Sequence, residues 1–350
     1  MARQQSPTPW CLERTPFHQS HFSFLILCHI TSSWRMNCTN SSIKLDETHQ
    51  IFQLIVYIPL FLFGIICNSL AFWVFCCKLK TWTETRVYMT NLIISDCCLL
   101  FTFPFRIYSY KRKWDLGNKL CSALLSIYFG NMYMSIFTIT LIAIDRYIAI
   151  KHPLKTKNWR SPLKAAAICG FLWILLISFF IYTALKYKNF QHTFCFQKSS
   201  TDPFHLVLTF IAVGFLVPLI IQSFCSIQII RCLKNKEIMD LHEKRVIKKV
   251  IWIVSANLAV FIICFLPVHV AYLVRYVIET IGAGCFVRLN VHKFVHVATY
   301  LANANCFLDA VCYYFVAKEF WEASSLFSKI KFAQFSQDDQ YKASQLSTQQ

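Results

Sequence analysis

Charged residues are scarce in this sequence. They make up 15% of 350 positions, against 56% hydrophobic residues and 33 Phe. Water-soluble chains carry about a quarter of their residues as charges, so one or two soluble domains are excluded and most of the chain belongs in lipid. Acids are scarcer still, 17 Asp and Glu against 35 Lys and Arg, for a net charge of +18. Such an excess fits nucleic acid, anionic lipid or the cytoplasmic flanks of membrane spans. Here the bases fall between apolar runs, which favours the membrane, and nucleic-acid binding would explain the charge and nothing else. No stretch is left over for a second domain. The 17 Cys do not make a disulfide framework, because most of them, Cys67, Cys76, Cys169 and Cys264 among them, lie inside apolar segments. There a thiol is a small hydrophobe.

A spanning helix needs roughly 20 apolar residues. Seven stretches supply them: Ile51 to Cys77, Val87 to Tyr108, Leu120 to Ile150, Lys164 to Leu185, Phe204 to Cys232, Val246 to Ile278 and Val291 to Phe315. The expected fold is an all-α membrane protein, a seven-transmembrane helix bundle over residues 51–317. Pro59, Pro104, Pro218 and Pro267 interrupt it, which membrane helices tolerate because neighbours satisfy the freed carbonyls. Residues 1–50 form an amino-terminal segment with two glycosylation sequons, Asn37-Cys38-Thr39 and Asn40-Ser41-Ser42. Glycans on Asn37 and Asn40 require that end to be extracellular. Phe22 to Ile30 is too short to span and lacks the basic start and cleavage site of a signal peptide. Residues 1–35 are read either as disordered or as an upstream extension of a protein starting at Met36.

With the amino end outside, the first, third and fifth links face the cytoplasm. They carry Lys78, Lys80 and Arg86, then Lys151, Lys155, Lys157 and Arg160, then Lys234, Lys236, Lys244, Arg245, Lys248 and Lys249. That is the positive-inside pattern. The chain is thus expected in the plasma membrane, multi-pass, with a cytoplasmic carboxyl end. Residues 318–330 alternate charges with Phe320, Trp321, Leu326 and Phe327, the pattern of a short amphipathic eighth helix on the inner leaflet, in contact with membrane lipids. Residues 331–350 form a polar cytoplasmic tail.

Seven spans fit receptors, transporters and membrane enzymes alike, so the class has to come from marks within the spans. These are Gly64-Ile65-Ile66-Cys67-Asn68, then Asn91-Leu92-Ile93-Ile94-Ser95-Asp96, Asp145-Arg146-Tyr147, Trp173, Pro218, Phe261 with Cys264-Phe265-Leu266-Pro267, and Asp309-Ala310-Val311-Cys312-Tyr313. In that order they resemble the rhodopsin-like (class A) G-protein-coupled receptors. Asp-Arg-Tyr alone arises by chance; an ordered set across every span does not. Within the family, Cys264 to His269 and the Asp309-x-x-Cys312-Tyr313 variant resemble the purinergic and lysophospholipid cluster, as do the runs Leu70 to Cys77, Trp82 to Arg86, Arg160-Ser161-Pro162 and Ala302 to Cys306. A transporter would show an internal repeat with paired broken helices, and none is found. An enzyme would show a catalytic cluster, whereas His269, His292 and His296 are read as scattered over different helices.

The resemblance implies a receptor, not an enzyme, whose agonist is an anionic small molecule or lysophospholipid. Its intracellular partners would be heterotrimeric G proteins of inhibitory or Rho-activating type, with receptor kinases and arrestin acting on the Ser and Thr of the tail. It also places Asp96, Asn68, Asn131, Ser135, Asn305 and Asp309 around one point mid-bilayer. An unpaired carboxylate there costs roughly 3 kcal/mol or more. Either a sodium ion, the only accessory ligand expected and no cofactor in the usual sense, neutralises Asp96, or a proton does and Asp96 is a hydrogen-bonded hub. Asp145, Arg146, Tyr147, Phe261, Phe265, Pro267 and Tyr313 are the implied activation switch. Asp145 is the expected resting partner of Arg146, since Lys244 to Lys249 offers no carboxylate, and Ser226 and Ala310 stand where the family usually has Tyr and Pro. The implied disulfides are Cys121 with Cys195 and Cys38 with Cys285. The implied ligand cup holds Arg106, Tyr128, Met132, His269, Tyr272, Arg275 and His296, with no acid among them. Above it stand Lys111, Arg112, Lys113, Lys186 and Lys188, the first three either a ligand-steering cluster or a solvated loop. Met132 and Thr183 occupy positions where the resemblance would import two further Arg, and Arg106 is a candidate replacement charge.

Overall fold

The computed structural model describes residues 47–78, 82–111, 114–152, 160–186, 195–196, 203–235, 241–284 and 286–310. Seven long helices account for nearly all of them. α1 runs Glu47–Trp73 and ends in a π-helical turn, Val74–Lys78. α2 is Glu84–Lys111, α3 Asn118–Lys151 and α4 Pro162–Lys186. α5 is built from Leu206–Ile211, a π-helical turn Ala212–Leu216 and Val217–Lys234. α6 is Leu241–Thr280 and α7 spans 286–310. Among the described residues there is no strand. This is the seven-helix bundle that the sequence predicts. The amphipathic stretch 318–330, the tail, Asn37, Asn40, Tyr313 and the pair Cys38 and Cys285 all lie outside the described residues.

Six of the helices, α1 to α6, are long and apolar enough to cross a membrane. α7 is different. It begins five residues before the expected Val291 and carries His292, Lys293, His296, Asn303, Asn305 and Asp309, all buried. Polar side chains inside a bilayer turn to the bundle interior, and α7 hides them there at the expense of average hydropathy.

The opposite extreme is α4. Only 17% of its central window is buried, against 72% for α3, which is the axle of the bundle. The lipid-facing side of α4 reads Phe171, Ile174, Leu175, Ile177 and Ile181. Lipid is as apolar as these residues, so they give little reason to leave it, and packing between spans relies on close contact and interhelical hydrogen bonds. Asn91 on α2 supplies those bonds. Its Nδ2 donates to Thr138 Oγ1 on α3 at 2.9 Å, and its Oδ1 accepts from Trp173 Nε1 on α4 at 2.9 Å. One amide therefore ties three helices. Asn68 does the same for α1 and α7, its Nδ2 donating to the Cys306 carbonyl at 2.7 Å.

Close contact is sharpest at Gly214, within the π turn of α5. A Cβ there would come 2.6 Å from Cε1 of Tyr133 on α3. The Tyr133 ring cannot swing away freely, because it stacks on Phe210 at 4.8 Å and meets His269 edge-on at 5.9 Å. Replacing Gly214 by Ala is expected to destabilise the receptor by about 1–3 kcal/mol through overpacking, read as a lower melting temperature in detergent; an unchanged melting temperature would show that α5 can slide to accommodate the methyl.

Candidate functional site

Three groups of functional side chains lie along the bundle axis. At the inner end, α3 presents Asp145, Arg146 and Tyr147. Arg146 is buried, as a charge inside the bilayer margin must be. Asp145 does not serve it as expected. Its carboxylate accepts from Arg160 Nε and Nη2 at 3.0 and 2.9 Å and from Thr85 Oγ1 at 2.9 Å, and Arg160 also reaches Glu84 at 3.5 Å. The forked guanidinium matches a carboxylate edge with two bonds, and it reaches from just before α4 to clamp the start of α2 to the inner end of α3. The runs Trp82 to Arg86 and Arg160-Ser161-Pro162, quoted above only as resemblances, thereby gain a physical role. Arg146 instead borders a cavity of ≈ 20 Å³ with Gln222 and Ser226 of α5 and Asn257 of α6. Tyr147 packs on Phe224 at 5.8 Å and accepts from Lys151. Glu243, one residue before the basic stretch of α6, is a buried carboxylate at this end that the reading of Lys244 to Lys249 passed over.

Mid-bilayer, the predicted polar group comes together. Asn305 Nδ2 donates to Asp309 Oδ2 at 2.6 Å, and Asn131 Nδ2 donates to Ser95 Oγ at 2.9 Å. Asp96 is 1% exposed. A cavity of ≈ 10 Å³, enough for about one water-sized species, is bordered by Asn131, Ser135 and Asn305, with Met132, Tyr128 and Phe265 on its outer side. Asp96 Oδ1, Ser135 Oγ and Asn305 Oδ1 have no hydrogen-bond partner among the described residues. Phe265 meets Phe261 edge-on at 5.3 Å, and Phe261 lies parallel to Phe215 of α5 at 6.1 Å. This aromatic stack sits directly below Pro267, which interrupts the hydrogen bonding of α6.

Cys195 and Phe196 are the described residues of the second outer loop, and both meet the bundle at the cup. Cys195 is disulfide-bonded to Cys121 of α3 across 74 residues, worth about 4 kcal/mol in the chain-entropy model. Its carbonyl also accepts from Ser109 Oγ at 2.5 Å. So pinned, the loop holds Phe196 at φ 65, a conformation that non-glycine residues adopt at a cost and that marks functional clamps. Phe196 is placed against Arg106. The Arg106 guanidinium carbon lies 5.0, 4.7 and 5.3 Å from the ring centroids of Tyr57, Tyr128 and Phe196. Neither Tyr57 nor Phe196 was marked in the sequence, and no local pattern could have marked them, since three separate elements converge here.

The other cup residues fare unequally. Tyr272 of α6 packs against Phe129 of α3, ring centroids 6.3 Å apart. Arg275 is held by Glu279, Nε to Oε1 at 2.8 Å. None of the cup residues is itself acidic, but Glu279 one turn away answers this arginine, and the i,i+4 spacing was legible in the sequence. The three histidines are not on different helices either. His292 and His296 stand one turn apart on α7, Nε2 to Nε2 at 3.1 Å, both buried. His269 is on α6, stacked on Phe215.

Comparison with known proteins bears on this geometry. Residues 67–313 match the model of the 7 transmembrane receptor (rhodopsin family). The chain belongs to that family. This rhodopsin-family receptor is 41% identical to human G-protein coupled receptor 35 over 76% of its own length and 84% of the relative's. It is 34% identical to chicken lysophosphatidic acid receptor 6, over 75% and 89%, and 33% identical to mouse G-protein coupled receptor 55, over 82% and 91%. It is a multi-pass membrane receptor rather than an enzyme.

The Trp173 indole is the only described donor to Asn91 Oδ1 from α4. Substituting Trp173 by Phe keeps the ring bulk and leaves that buried oxygen unpaired, so a loss of about 1–3 kcal/mol in thermal stability is expected. A Phe variant as stable as the parent would mean that α4 is held by packing alone.

Proposed function

We propose that this receptor detects an extracellular anion, either an acidic metabolite or a lysophospholipid, and couples its binding to heterotrimeric G proteins of the inhibitory or Rho-activating type. The observation that carries the ligand class is Arg106: a buried guanidinium in the outer cup, wrapped by Tyr57, Tyr128 and Phe196. Aromatic faces hold a cation in place, and a carboxylate or phosphate is the complement in charge of a guanidinium so placed. Arg275 is a secondary anchor, since an incoming anion must compete there with Glu279. One relative carries lysophosphatidic acid in its name, which supports including lysophospholipids among the first ligands tried.

A screen of anionic metabolites and lysolipids against G-protein sensors in transfected cells tests this reading. An agonist found there should lose roughly 10- to 150-fold in potency on Arg106→Gln, the worth of one charge-assisted contact, and less on Arg275→Ala. Equal potency on the Arg106 variant would remove Arg106 as the anchor.

The mid-bilayer oxygens support a sodium ion as allosteric ligand. Asp96 Oδ1, Ser135 Oγ and Asn305 Oδ1 have no hydrogen-bond partner among the described residues, and Asp309 adds a second carboxylate; hard oxygen donors suit a hard cation. In this reading Asp96 and Asp309 hold the ion's charge while Ser135 and Asn305 complete its shell, and sodium favours the resting arrangement. Raising sodium chloride against an equal concentration of a choline salt should weaken agonist binding in the parent and leave Asp96→Asn unaffected. Indifference of the parent to sodium would discard the cation site and leave Asp96 as a protonated hub.

On the inner side, the Asp145–Arg160 clamp supports a resting role for the α3 terminus, with Arg146 freed toward the cavity beside Gln222, Ser226 and Asn257 when a G protein docks. Receptor kinases and arrestin are proposed to act on the Ser and Thr beyond residue 323. The sequons and the basic inner links support an amino end outside the plasma membrane.

A further inference from the structure

One face of α6 stays outside the bundle along most of its length. Arg245, Lys248, Trp252, Ala259, Ile263 and Leu266 are all exposed, and at 3.6 residues per turn their spacing sets them in a single stripe. Its chemistry changes at Trp252, which is 71% exposed. Toward the outer end the stripe carries no charge; toward the inner end stand Lys248 and Arg245, flanked by Lys244. α5 repeats the pattern. Ile220, Phe224, Ile227, Arg231 and Lys234 share one exposed face, apolar until Arg231. Leu233 of α5 and Val250 of α6 are fully buried in the same core cluster, so the two basic ends stand side by side.

An exposed tryptophan on a lipid-facing stripe sits where acyl chains give way to headgroups. A helix rises about 1.5 Å per residue, which puts Lys248 about 6 Å and Arg245 about 10 Å nearer the cytoplasm. The headgroup layer is roughly 5 to 8 Å deep on each side, and long basic side chains reach along it. The cations therefore stand at phosphate level. Among the described residues, Arg231, Lys234, Lys244, Arg245 and Lys248 make no salt bridge. Glu243, the carboxylate beside Lys244, is turned inward and buried. The positive-inside bias asks only that a link be basic. It does not ask that cations line up beneath a lipid-facing indole, and Lys and Arg early in a helix run against its dipole.

We propose that the inner ends of α5 and α6 bind the headgroup of a polyphosphorylated inositol phospholipid of the cytoplasmic leaflet, with its acyl chains along the apolar stripes and Trp252 at the boundary between the two. Clusters of Lys and Arg at the cytoplasmic end of a span attract such lipids. A lipid with one charge answers one of these five cations and leaves the rest unpaired, whereas several phosphate charges on one ring answer them as a set. The inference takes from the reading above only that this end of the bundle is cytoplasmic, and it is independent of the agonist. A headgroup seated here bridges two helices. Enzymes that add or remove phosphate on that lipid would then tune how firmly α5 and α6 are held together.

The test titrates full-length receptor in phosphatidylcholine nanodiscs with fluorescently labelled phosphatidylinositol bisphosphate. Phosphatidylserine at equal total charge and soluble inositol trisphosphate serve as competitors. The labelled lipid should bind saturably, and each competitor should displace it about tenfold less well than the unlabelled lipid does. Replacing Lys244, Arg245 and Lys248 together by Gln should weaken binding at least about tenfold, and Arg231→Gln with Lys234→Gln about fivefold or more. Lys164→Gln, which removes an exposed cation at the inner end of α4, should leave binding unchanged. All these side chains are exposed, and a melting temperature taken without the labelled lipid shows that each variant is folded. Displacement by phosphatidylserine as effective as by the inositol lipid overturns the proposal and reduces the patch to ordinary positive-inside charge, as does an equal loss on Lys164→Gln. Equal competition by inositol trisphosphate overturns it in favour of a soluble polyphosphate.

Discussion

A polar side chain within a bilayer has no water to turn to, and the packing of these seven helices follows from that constraint. Lipid competes on equal terms for Leu, Ile and Phe, so apolar surface alone does not decide which span sits beside which. The amides decide it. Asn91 joins α2, α3 and α4, Asn68 joins α1 and α7, and Asn131 joins α3 to α2 through Ser95. Each bond is worth about 1 kcal/mol net, but leaving its members unmade in hydrocarbon costs more, so the network enforces one arrangement. Aromatic packing around Tyr133, Phe210, Phe215 and His269 then fills the space the amides define.

The same constraint arranges the functional groups by height. The Arg106 guanidinium sits in its aromatic cage toward one end of the bundle, the Asp96 and Asp309 carboxylates sit at the centre, and the Asp145–Arg160 clamp sits at the other end. Between the cup and the centre runs α6, with His269, Phe265 and Phe261 at successive turns around Pro267. A helix that lacks a hydrogen bond at proline bends there more readily than elsewhere. Pro267 is therefore a point of compliance within α6, while α3, the most buried helix, is the fixed reference.

Much of this was legible in the residues. The seven apolar runs gave the helices to within a few residues, because hydrophobic length is a strong signal when the solvent is lipid. Of the polar residues that the ordered marks picked out, Asn131, Ser135 and Asn305 border one cavity, and Asn305 donates to Asp309. What escaped was pairing between elements remote in sequence. Asp145 is adjacent to Arg146 in the chain, and adjacency made it the obvious partner; yet neighbouring helical residues point about 100° apart, and Arg160 arrives from a link with its fork already aligned. Phe196 carries no motif, and its placement on Arg106 depends on a disulfide and on Ser109. Glu279 was readable by its spacing from Arg275, and His292 by its spacing from His296. Those two were missed because the cup was read by charge rather than by helical turn.

The bond from Trp173 to Asn91 has a consequence for how the receptor lives in membranes of different thickness. A helix that shows most of its surface to acyl chains takes its depth from hydrophobic matching, and would ride up or down as the bilayer thickens or thins. α4 is such a helix, yet its indole is fastened to an amide buried on α2. It cannot slide without breaking that bond, so it must meet a thicker or thinner bilayer by tilting about Trp173. Bilayer thickness thereby becomes an angle at the α2–α4 seam, and Arg160, just before the inner end of α4, is the charged group that this angle would move.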